Sequence, residues 1–599
     1  MNSKIPFLFL LLLWALPMQN LPAQITLQGV VKDAETRSPL PFSSVRVRGT
    51  TTGTVANVGG SYILRSAGIH DSIMFSYVGY QTVTVPASLL ITHGTVFLVQ
   101  KPEMLAGVSV YAREDYLYKM VERCGKRIRK QSGERTAKAY FGLETFIGER
   151  PAELLECYYN AVTEGVQVEA LLLKNGRIGL AVVGSRLFNS IETSKAISRF
   201  SLVRRNSLFP AVPTQFSMKE MQKAFVLTPG RQDEAILHVR FAPRQDSGSY
   251  FKGEMWIDKE SASLIQMNLS VDTARIFPFE SLWDDSVRNV NMELVFRFFQ
   301  FAGRMVPEYI RFNYNFDYET ASSEARLVID TLPDMLRRIE TRSILSFYDY
   351  GEPFILPWFE YDPDESDYHK LAMIPYNDFF WNHNSAMLLT GDQRNSLGFY
   401  ADKGMLVNFG EGNHGKNFLK MFNSDTVGYN FPYAFWGTDS RVRLNKNMPQ
   451  NETWSQDRIK DQIPSDLYHL EVKILLDVTQ ARDTFHEVSY TVFDETQTFF
   501  HLPPQPCTNL FLNLYFDICE IERRKMEAVL HQNTFTINQI DSLYQSTTRE
   551  IEGITGKYLK EVQQGKNRAE MEKWNQYVFD RLRIDNLALF RDELGTAKP

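Results

Sequence analysis

The amino-acid sequence predicts a multidomain, β-rich α+β protein. Short runs of alternating apolar and polar residues extend from residue 25 to about 100, and longer strand pairs continue to about residue 345. The longest helical patterns lie in the last hundred residues. Strand patterns repeat every two residues and helical patterns every 3.6, so the two kinds of segment can be told apart along the chain. At 599 residues the chain is long enough to build several separate cores.

The composition is that of a globular protein and excludes one broad class of function. Hydrophobic residues make up 44% of the chain and charged residues 23%, so there is ample material for buried cores. The formal net charge is -6, and the sequence contains no basic tract dense enough to follow a phosphate backbone. We therefore expect no nucleic-acid partner.

The first 23 residues predict export. Lys4 precedes an apolar run, and small and helix-breaking residues end at Ala23, where we expect a signal peptide to be cleaved. No later segment offers about 20 uninterrupted apolar residues, so we predict no transmembrane segment in the mature chain. The expected location is the periplasm or the periphery of the outer membrane.

The cysteine content is low for an exported protein, and we expect no disulfide framework. One bridge, between Cys507 and Cys519, stays open as an alternative to buried thiols. Cys124 is the best candidate for a reactive thiol, because nearby cations on its predicted helix would favour the thiolate.

Residues 24–110 predict a small β-sandwich. Runs such as "ITLQGVVKD", "FSSVRVRG" and "DSIMFSYVGY" alternate apolar and polar residues and are separated by Gly, Pro and Asp. Each run fits a half-buried strand, and five or more strands in so short a segment are typical of a sandwich.

Several positions in this segment carry a resemblance to a known family. These positions are Gly29-Val30-Val31-x-Asp33, Pro39-Leu40-Pro41, Gly53-Thr54, Asn57-x-x-Gly60-x-Tyr62 and Phe75-Ser76-Tyr77-Val78-Gly79-Tyr80. With them the segment resembles the carboxypeptidase-regulatory-like domain of exported Bacteroidetes proteins. The resemblance implies an accessory, immunoglobulin-like module and no peptidase activity.

Residues 111–345 predict a helix followed by a curved antiparallel sheet or half-barrel. The helix, 111–133, has an apolar face formed by Tyr116, Met120, Val121, Cys124 and Ile128. The strand-turn-strand unit Gly253-x-x-Trp256-Ile257-Asp258 with Leu264-Ile265 resembles the repeat of half-open barrels of the lipoprotein-carrier type. That resemblance concerns the fold, and it implies a surface that could hold acyl chains.

Residues 346–460 predict an aromatic-rich connection of loops and short helices. The segment is rich in Pro, Asn, Gly, Asp and aromatic residues. Because exposing many aromatic side chains is costly, we expect it to pack over neighbouring domains or to form a contact surface.

Residues 461–599 predict strands followed by helices. The helix beginning near Thr508 is apolar on nearly every side in its first half and charged in its second, which indicates that the first half is buried. The predicted helices contain Phe516-Asp517-Ile518-x-Glu520, Arg523, Arg524, Gly565-x-Asn567 and Trp574-Asn575. At these positions the segment resembles a group of secreted bacterial zinc peptidases with a His-Glu-Gln-x-His-Phe-Asp-Ile helix.

That resemblance places the metal motif on residues 511–515, where the required chemistry is missing. Zinc in such a site needs two imidazoles four residues apart on one helix face, together with a third ligand. Phe511 cannot ligate, Tyr515 would need an unfavourable phenolate, and Leu512 replaces the general base. The sequence therefore predicts a degenerate, inactive site at Phe511, Leu512, Tyr515, Asp517 and Glu520, without a metal or cofactor.

Asp517 and Glu520 leave two interpretations open: remnants of a site, or structural groups. The structural interpretation is favoured, because Arg523 and Arg524 lie three and four residues beyond Glu520, the spacing of helix ion pairs. Trp574 and Asn575 are expected to dock the last helices onto the core.

The histidines supply no second motif. His486-Glu487-x-x-Tyr490 begins like a zinc motif, but its alternation predicts a strand, on which residues four apart are separated by about 13 Å. A cluster of His469, His486 and His501 in space stays open.

The sequence thus favours an exported, non-catalytic binding or scaffolding protein of the bacterial cell envelope. The expected partner is an envelope protein, a glycan or a lipid. Two alternatives remain: a secreted hydrolase using unrecognised residues, and a carrier of lipid or lipoprotein in the half-barrel.

Overall fold

The structure is a computed structural model. It describes residues 24–102, 115–183, 186–187, 193–232, 234–245, 247–279, 286–319, 336–359, 370–371, 374, 376–410, 433–439, 441–443, 468–481, 484–494, 497–500, 505–532, 534–592 and 594. The predicted signal peptide (1–23) and His501 lie outside the described residues. The chain divides into an N-terminal unit, Met1–Glu103 with Asn384–Thr390, and a large unit, Met104–His383 with Gly391–Pro599.

The N-terminal unit contains two sheets. Its elements are β1 (Gln24–Asp33), β2 (Ser44–Val47), β3 (Gly53–Val55), β4 (Ser61–Gly68), β5 (Ser72–Ser76), β6 (Val83–Pro86), α1 (Ala87–Leu90) and β7 (Thr95–Leu98). One sheet has the order β4-β1-β7 and the other β3-β2-β5-β6. Side chains of both sheets, including Val31, Val45 and Phe75, form a single buried core.

Asp33 organises the turn after β1. Its Oδ1 accepts hydrogen bonds from the backbone N–H groups of Glu35 and Thr36, both 2.8 Å, and its Oδ2 accepts from the Tyr80 hydroxyl at 2.6 Å. The Tyr80 hydrogen bond is the largest of the influences that lower the pKa of Asp33. Two positions of the family pattern, Asp33 and Tyr80, are therefore in direct contact.

The large unit is dominated by one antiparallel sheet. In chain order its first elements are α2 (Asp115–Lys130), β8 (Glu134–Ile147), β9 (Arg150–Glu164), β10 (Gln167–Val183), β11 (Arg186–Leu187), α3 (Thr193–Arg199), α4 (Met218–Ala224), β12 (Phe225–Gln232), β13 (Ile236–Pro243), β14 (Lys252–Asp258), β15 (Leu264–Val271), β16 (Ser286–Phe301), β17 (Arg304–Glu319) and β18 (Leu336–Tyr348). The strand order is β11-β10-β9-β8-β18-β17-β16-β15-β14-β13-β12. Two meanders are thus joined where β18 pairs with β8.

Helix α2 packs against this sheet. The apolar face predicted from the sequence is buried at Met120, Val121, Cys124 and Ile128, in one core with the strands. Gly125 allows close contact with the turn at Pro213–Gln215, since a Cβ at this position would lie 2.5 Å from the Thr214 carbonyl oxygen. Burial raises the pKa of Cys124 to about 12, so this thiol lacks the thiolate character that reactivity requires.

The remaining elements of the large unit come from the last third of the chain. They are α5 (Asp378–His383), α6 (Gly391–Lys403), β19 (Gly404–Val407), β20 (Tyr433–Phe435), β21 (Tyr468–His469), β22 (Val472–Ala481), β23 (Thr484–Asp494), β24 (Phe499–Phe500), α7 (Thr508–Gln532), α8 (Ile537–Val562), α9 (Arg568–Leu582) and α10 (Asn586–Leu589). Short 3₁₀ turns lie at Pro213–Gln215 and Gln563–Gly565.

The segment 346–460 contributes strands to two different sheets. β19 pairs with β10 of the large sheet, and β20 pairs with β23 in the three-stranded sheet β20-β23-β22. The sequence predicted loops and short helices for this segment. Strands of three and four residues carry too short a pattern to be recognised, and their pairing partners are distant in the chain.

Several sheets and helices therefore form a β-rich α+β protein, as the sequence predicts. Within the described residues, no helix combines the length and the apolar character needed to cross a membrane. Cys507 and Cys519 are both free. Most of the first half of α7 separates them, about 18 Å along a helix, so the bridge left open by the sequence is not formed.

Candidate functional site

Helix α7 holds every residue of the predicted degenerate site. It begins at Thr508, whose hydroxyl oxygen accepts a hydrogen bond from the Gln505 backbone N–H at 2.8 Å. Helices α8, α9 and α10 and the strands β22 and β23 all contact α7. A helix enclosed by neighbours can bury apolar residues on every side, which accounts for the sequence of its first half.

Phe511 and Leu512 are core residues. Phe511 is 0% exposed and Leu512 1%. The Phe511 ring stacks on Tyr558 with centroids 5.7 Å apart and meets Tyr468 edge-on at 5.8 Å. The Tyr558 hydroxyl donates to the backbone carbonyl of Phe511 at 2.8 Å, which fixes this ring against the helix.

Tyr515 is partly buried beside the same aromatic group. Its ring lies 6.3 Å from that of Tyr558, and its hydroxyl donates to the Leu470 carbonyl oxygen at 3.3 Å. Burial is the main cause that raises the pKa of Tyr515. The side chain is therefore a neutral phenol at physiological pH and an even poorer metal ligand than a free tyrosine.

Asp517 is a fully buried acid whose oxygens are occupied by protein donors. Its Oδ1 accepts from Trp436 Nε1 at 2.7 Å and lies 3.1 Å from Arg441 Nη1, while its Oδ2 accepts from Asn586 Nδ2 at 2.6 Å. Burial raises the pKa of Asp517, and Arg441 with the three hydrogen bonds opposes that rise. The group ties α7 to α10 and to the segment after β20.

Glu520 is the centre of the ion pairs that the helix spacing predicts. Arg523 Nε lies 2.8 Å from Oε2 and Arg524 Nε 2.8 Å from Oε1, and the Thr491 hydroxyl donates to Oε2 at 2.7 Å. Burial acts to raise the pKa of Glu520, but the hydrogen bond and charge of Arg523, together with the hydrogen bonds of Arg524 and Thr491, outweigh it, and the net pKa is lowered. The prediction of Glu520 ion pairs with Arg523 and Arg524 is confirmed.

Replacing Glu520 with glutamine is expected to cost about 1–3 kcal/mol at pH 7, because hydrogen bonds to a buried carboxylate are lost. A carboxylate with a lowered folded pKa contributes stability above its ordinary pKa, 4.5, and loses that contribution as the pH falls through the folded value. The urea midpoints of wild type and E520Q should therefore differ clearly at pH 7 and much less at pH 3. Asp517 is common to both proteins and cancels in the comparison. Glu572→Gln, in an exposed pair of α9, is the control; equal loss in both variants would refute the assignment.

Trp574 and Asn575 dock the last helices, as the sequence predicts. Trp574 packs edge-on against Tyr558 at 5.5 Å and donates from Nε1 to Glu561 Oε2 at 3.0 Å. Asn575 Oδ1 accepts from the Asn586 backbone N–H at 2.9 Å, which positions the residue that binds Asp517.

His469 and His486 lie on different strands. His469 lies on β21 with its Nε2 2.9 Å from Glu471, and His486 lies on β23 with its ring stacked 3.5 Å from that of Phe379. His486 and Tyr490 are on a strand, as their alternation predicts. Throughout the described ranges, no group of three or more His, Cys, Asp or Glu side chains has the proximity needed for a metal ion.

One open cleft of about 370 Å³ lies between β23 and the ends of α7 and α8. His486, Glu487 and His531 line it together with Thr484, Phe535 and others, and His531 Nε2 is 3.3 Å from Glu487 Oε1. The sequence did not indicate this juxtaposition, because His531 belongs to a different element from the strand histidine.

A second polar feature missed by sequence reasoning joins the large sheet to β22. Lys174, 1% exposed, forms an ion pair with Asp477, 0% exposed, and donates from Nζ to the Val478 carbonyl at 2.8 Å. Asn377 Nδ2 donates to the other Asp477 oxygen at 3.1 Å. Burial lowers the pKa of Lys174, and Asp477 opposes the effect. No local pattern reveals a pair separated by 303 positions.

Comparison with known proteins identifies the N-terminal part of the chain. Residues 27–91 match the CarboxypepD_reg-like domain. A 65-residue stretch is 43% identical to the TonB-dependent receptor SusC of Bacteroides thetaiotaomicron, covering 11% of this chain and 6% of that protein. The chain thus spans a small fraction of the curated relative that it matches.

Two solved structures show weak overall likeness. One is a domain described as an outer membrane lipoprotein-sorting protein from Vibrio parahaemolyticus: 11% identity, 39% of this chain, 90% of that chain and a TM-score of 0.18. The other is a LolA superfamily protein from Nitrosomonas europaea: 12% identity, 42% and 97% coverage, and a TM-score of 0.15. Scores this low support no statement about function. The sequence match, in contrast, establishes an N-terminal CarboxypepD_reg-like domain over residues 27–91.

Proposed function

We propose that this chain is an exported, non-catalytic binding or scaffolding protein of the bacterial cell envelope. The observation that carries the proposal is the packing of α7. Phe511 and Leu512, at two positions where a zinc peptidase would need a ligand and a base, are buried, and Tyr515 is held as a neutral phenol. Asp517 and Glu520 direct their oxygens at protein donors, which leaves neither carboxylate available for substrate.

The envelope location is supported by the N-terminal domain. A 65-residue stretch of the chain is similar to a TonB-dependent receptor, and the signal-peptide pattern predicts export. The partner classes we propose are an envelope protein, a glycan or a lipid.

The lipid-carrier alternative requires an apolar surface that is free to receive acyl chains. Part of the large sheet is instead covered by α2 and by Phe200, Phe209 and Phe216 in the same core. This packing favours the scaffold over the carrier.

The hydrolase alternative has one observation in its favour, the cleft containing Glu487 and His531. These two groups are within ion-pair distance and face an opening of about 370 Å³. A His and a Glu are the kinds of side chain that can move protons or bind zinc.

Zinc content separates the scaffold from the hydrolase. We expect purified residues 24–599, dialysed against zinc and then against buffer, to retain less than about a tenth of an equivalent of zinc. A structural or catalytic zinc site would keep its metal through this dialysis, because such sites bind zinc too tightly for dialysis to remove it. Mass spectrometry measures the metal. Retention near one equivalent, lost in H531A, would overturn the proposal and assign the cleft as a hydrolase site. Retention of zinc near one equivalent in H531A as well would also overturn the proposal, and it would assign the metal to a site that does not use His531.

A further inference from the structure

A short segment from the middle of the chain belongs to the N-terminal unit. Residues Asn384–Thr390 group with Met1–Glu103, whereas the helices on either side of the segment, α5 and α6, belong to the large unit. The segment itself is neither helix nor strand. The N-terminal unit is therefore completed by a piece of chain more than 280 positions beyond its last strand.

Two side chains of the N-terminal domain hold this segment by its backbone. The Thr54 hydroxyl donates to the Ala386 carbonyl oxygen at 2.6 Å, and Asn57 Nδ2 donates to the Leu388 carbonyl oxygen at 2.9 Å. Both acceptors are main-chain groups two residues apart. Contacts to carbonyl oxygens are available to any peptide with the same backbone path, so this mode of binding places few demands on side-chain sequence.

Asn57 is held by hydrogen bonds within its own turn, independently of the segment. Its Oδ1 accepts from the backbone N–H groups of Gly59 and Ser61, both at 3.0 Å, and the residue is 5% exposed. The turn also requires Gly60, whose φ is +75° and whose Cβ would lie 2.8 Å from the Val31 carbonyl oxygen. An amide held in this way presents its N–H₂ group to the segment without losing side-chain freedom on binding.

The residues that build this site are those that carry the family resemblance. Thr54 belongs to the Gly53-Thr54 pair, and Asn57 and Gly60 belong to the Asn57-x-x-Gly60-x-Tyr62 pattern. The pattern therefore contains a rigid turn and two hydrogen-bond donors, Thr54 and Asn57, that contact the segment. The turn alone would not require the Thr54 hydroxyl.

We propose that Thr54 and Asn57 form a peptide-backbone binding site on the CarboxypepD_reg-like domain, and that residues 384–390 are its built-in ligand. The ligand class is a non-helical peptide that offers two carbonyl oxygens at positions i and i+2. Covalent attachment gives the internal segment a high effective concentration, so it keeps the site closed to other chains. This site is independent of the proposed inactivity of α7.

The first test is hydrogen–deuterium exchange on the full mature chain. Thr54→Val removes one donor, and Asn57→Asp removes the other while keeping the Oδ1 acceptor of the turn. We expect amides of 384–390 to exchange about tenfold faster in the T54V/N57D variant, because local opening sets the exchange rate. Thr84→Val, an exposed threonine of β6, is the matched control and should leave these amides unchanged. Equal exchange in T54V/N57D and wild type would overturn the proposal.

The second test asks whether the site accepts a peptide in trans. A variant with residues 384–390 replaced by a seven-residue Gly-Ser linker is mixed with a fluorescent peptide of sequence 383–391, and binding is followed by anisotropy. We expect binding to the linker variant, and binding weaker by at least about tenfold to wild type and to the linker variant carrying T54V/N57D. Equal binding of the peptide to the linker variant with and without T54V/N57D would overturn the proposal. An absence of binding to the linker variant would also overturn it, provided that the amides of β1–β7 exchange at the wild-type rate in that variant.

Discussion

Replacing Lys174 with methionine is expected to destabilise the large unit by about 3–5 kcal/mol, since it leaves the Asp477 carboxylate buried without its cation. Neither side chain of the pair is more than 1% exposed. Asn377 would remain as a donor to Asp477, but an amide does not neutralise a buried charge. Thermal unfolding and urea denaturation of the full mature chain measure the loss.

Lys252→Met is the matched control for this prediction. Lys252 pairs with Asp272 at the surface of the same sheet, with both side chains more than half exposed, so its loss should change stability by less than about 1 kcal/mol. The double variant K174M/D477L should recover much of the loss, because apolar replacement of a whole buried pair is often neutral. Similar unfolding of K174M and K252M would contradict a dominant role for the buried pair.

Replacing Phe511 with alanine is expected to cost about 3–5 kcal/mol, the range for deleting a buried phenyl ring from a packed core. The ring is fully buried between Tyr558 and Tyr468, so its removal leaves a cavity bounded by two aromatic side chains. The expected result is a lower urea midpoint of the transition that reports α7. Tryptophan fluorescence is suited to following this transition, because Trp574 packs against Tyr558.

Phe579→Ala supplies the comparison. Phe579 lies on α9 and is 37% exposed, and the same truncation there should cost less than about 1 kcal/mol. A loss at Phe511 no larger than at Phe579 would contradict a core position for Phe511. It would also weaken the proposal that α7 has no catalytic role. That proposal rests on Phe511 being a core residue, and a ring that contributes little to stability could serve another purpose.

The two buried acids of α7 illustrate how similar residues differ by surroundings. Asp517 has a raised pKa because burial outweighs its partners, whereas Glu520 has a lowered pKa because two arginines and a threonine outweigh burial. Both are integrated into packing between elements. Neither resembles an acid or base that is exposed to a substrate.

Much of the local structure could be predicted from residues close together in sequence. The apolar face of α2, the strand containing His486, and the Glu520 ion pairs all follow from spacings of two, three or four residues. The N-terminal domain was recognised from turn residues such as Asp33 and Gly60, whose roles depend on backbone geometry within a few positions. Periodicity and turn chemistry are local properties, and the sequence states them directly.

The pairing of short strands, the pairing of buried charges and the contact between the N-terminal domain and residues 384–390 depended on the tertiary structure. β19 and β20 are too short to show a pattern, and their partners, β10 and β23, lie far away in sequence. Asp517 accepts hydrogen bonds from Trp436 and Arg441, Lys174 pairs with Asp477, and Asn57 donates to the Leu388 carbonyl oxygen. The partners are separated by 76 to 331 positions in the sequence. The sequence by itself determined the module, the types of the longer elements and the absence of a zinc motif on α7. Which buried charges pair, and which segment occupies the N-terminal domain, was decided by folding, because burial and proximity exist only once distant parts of the chain have packed together.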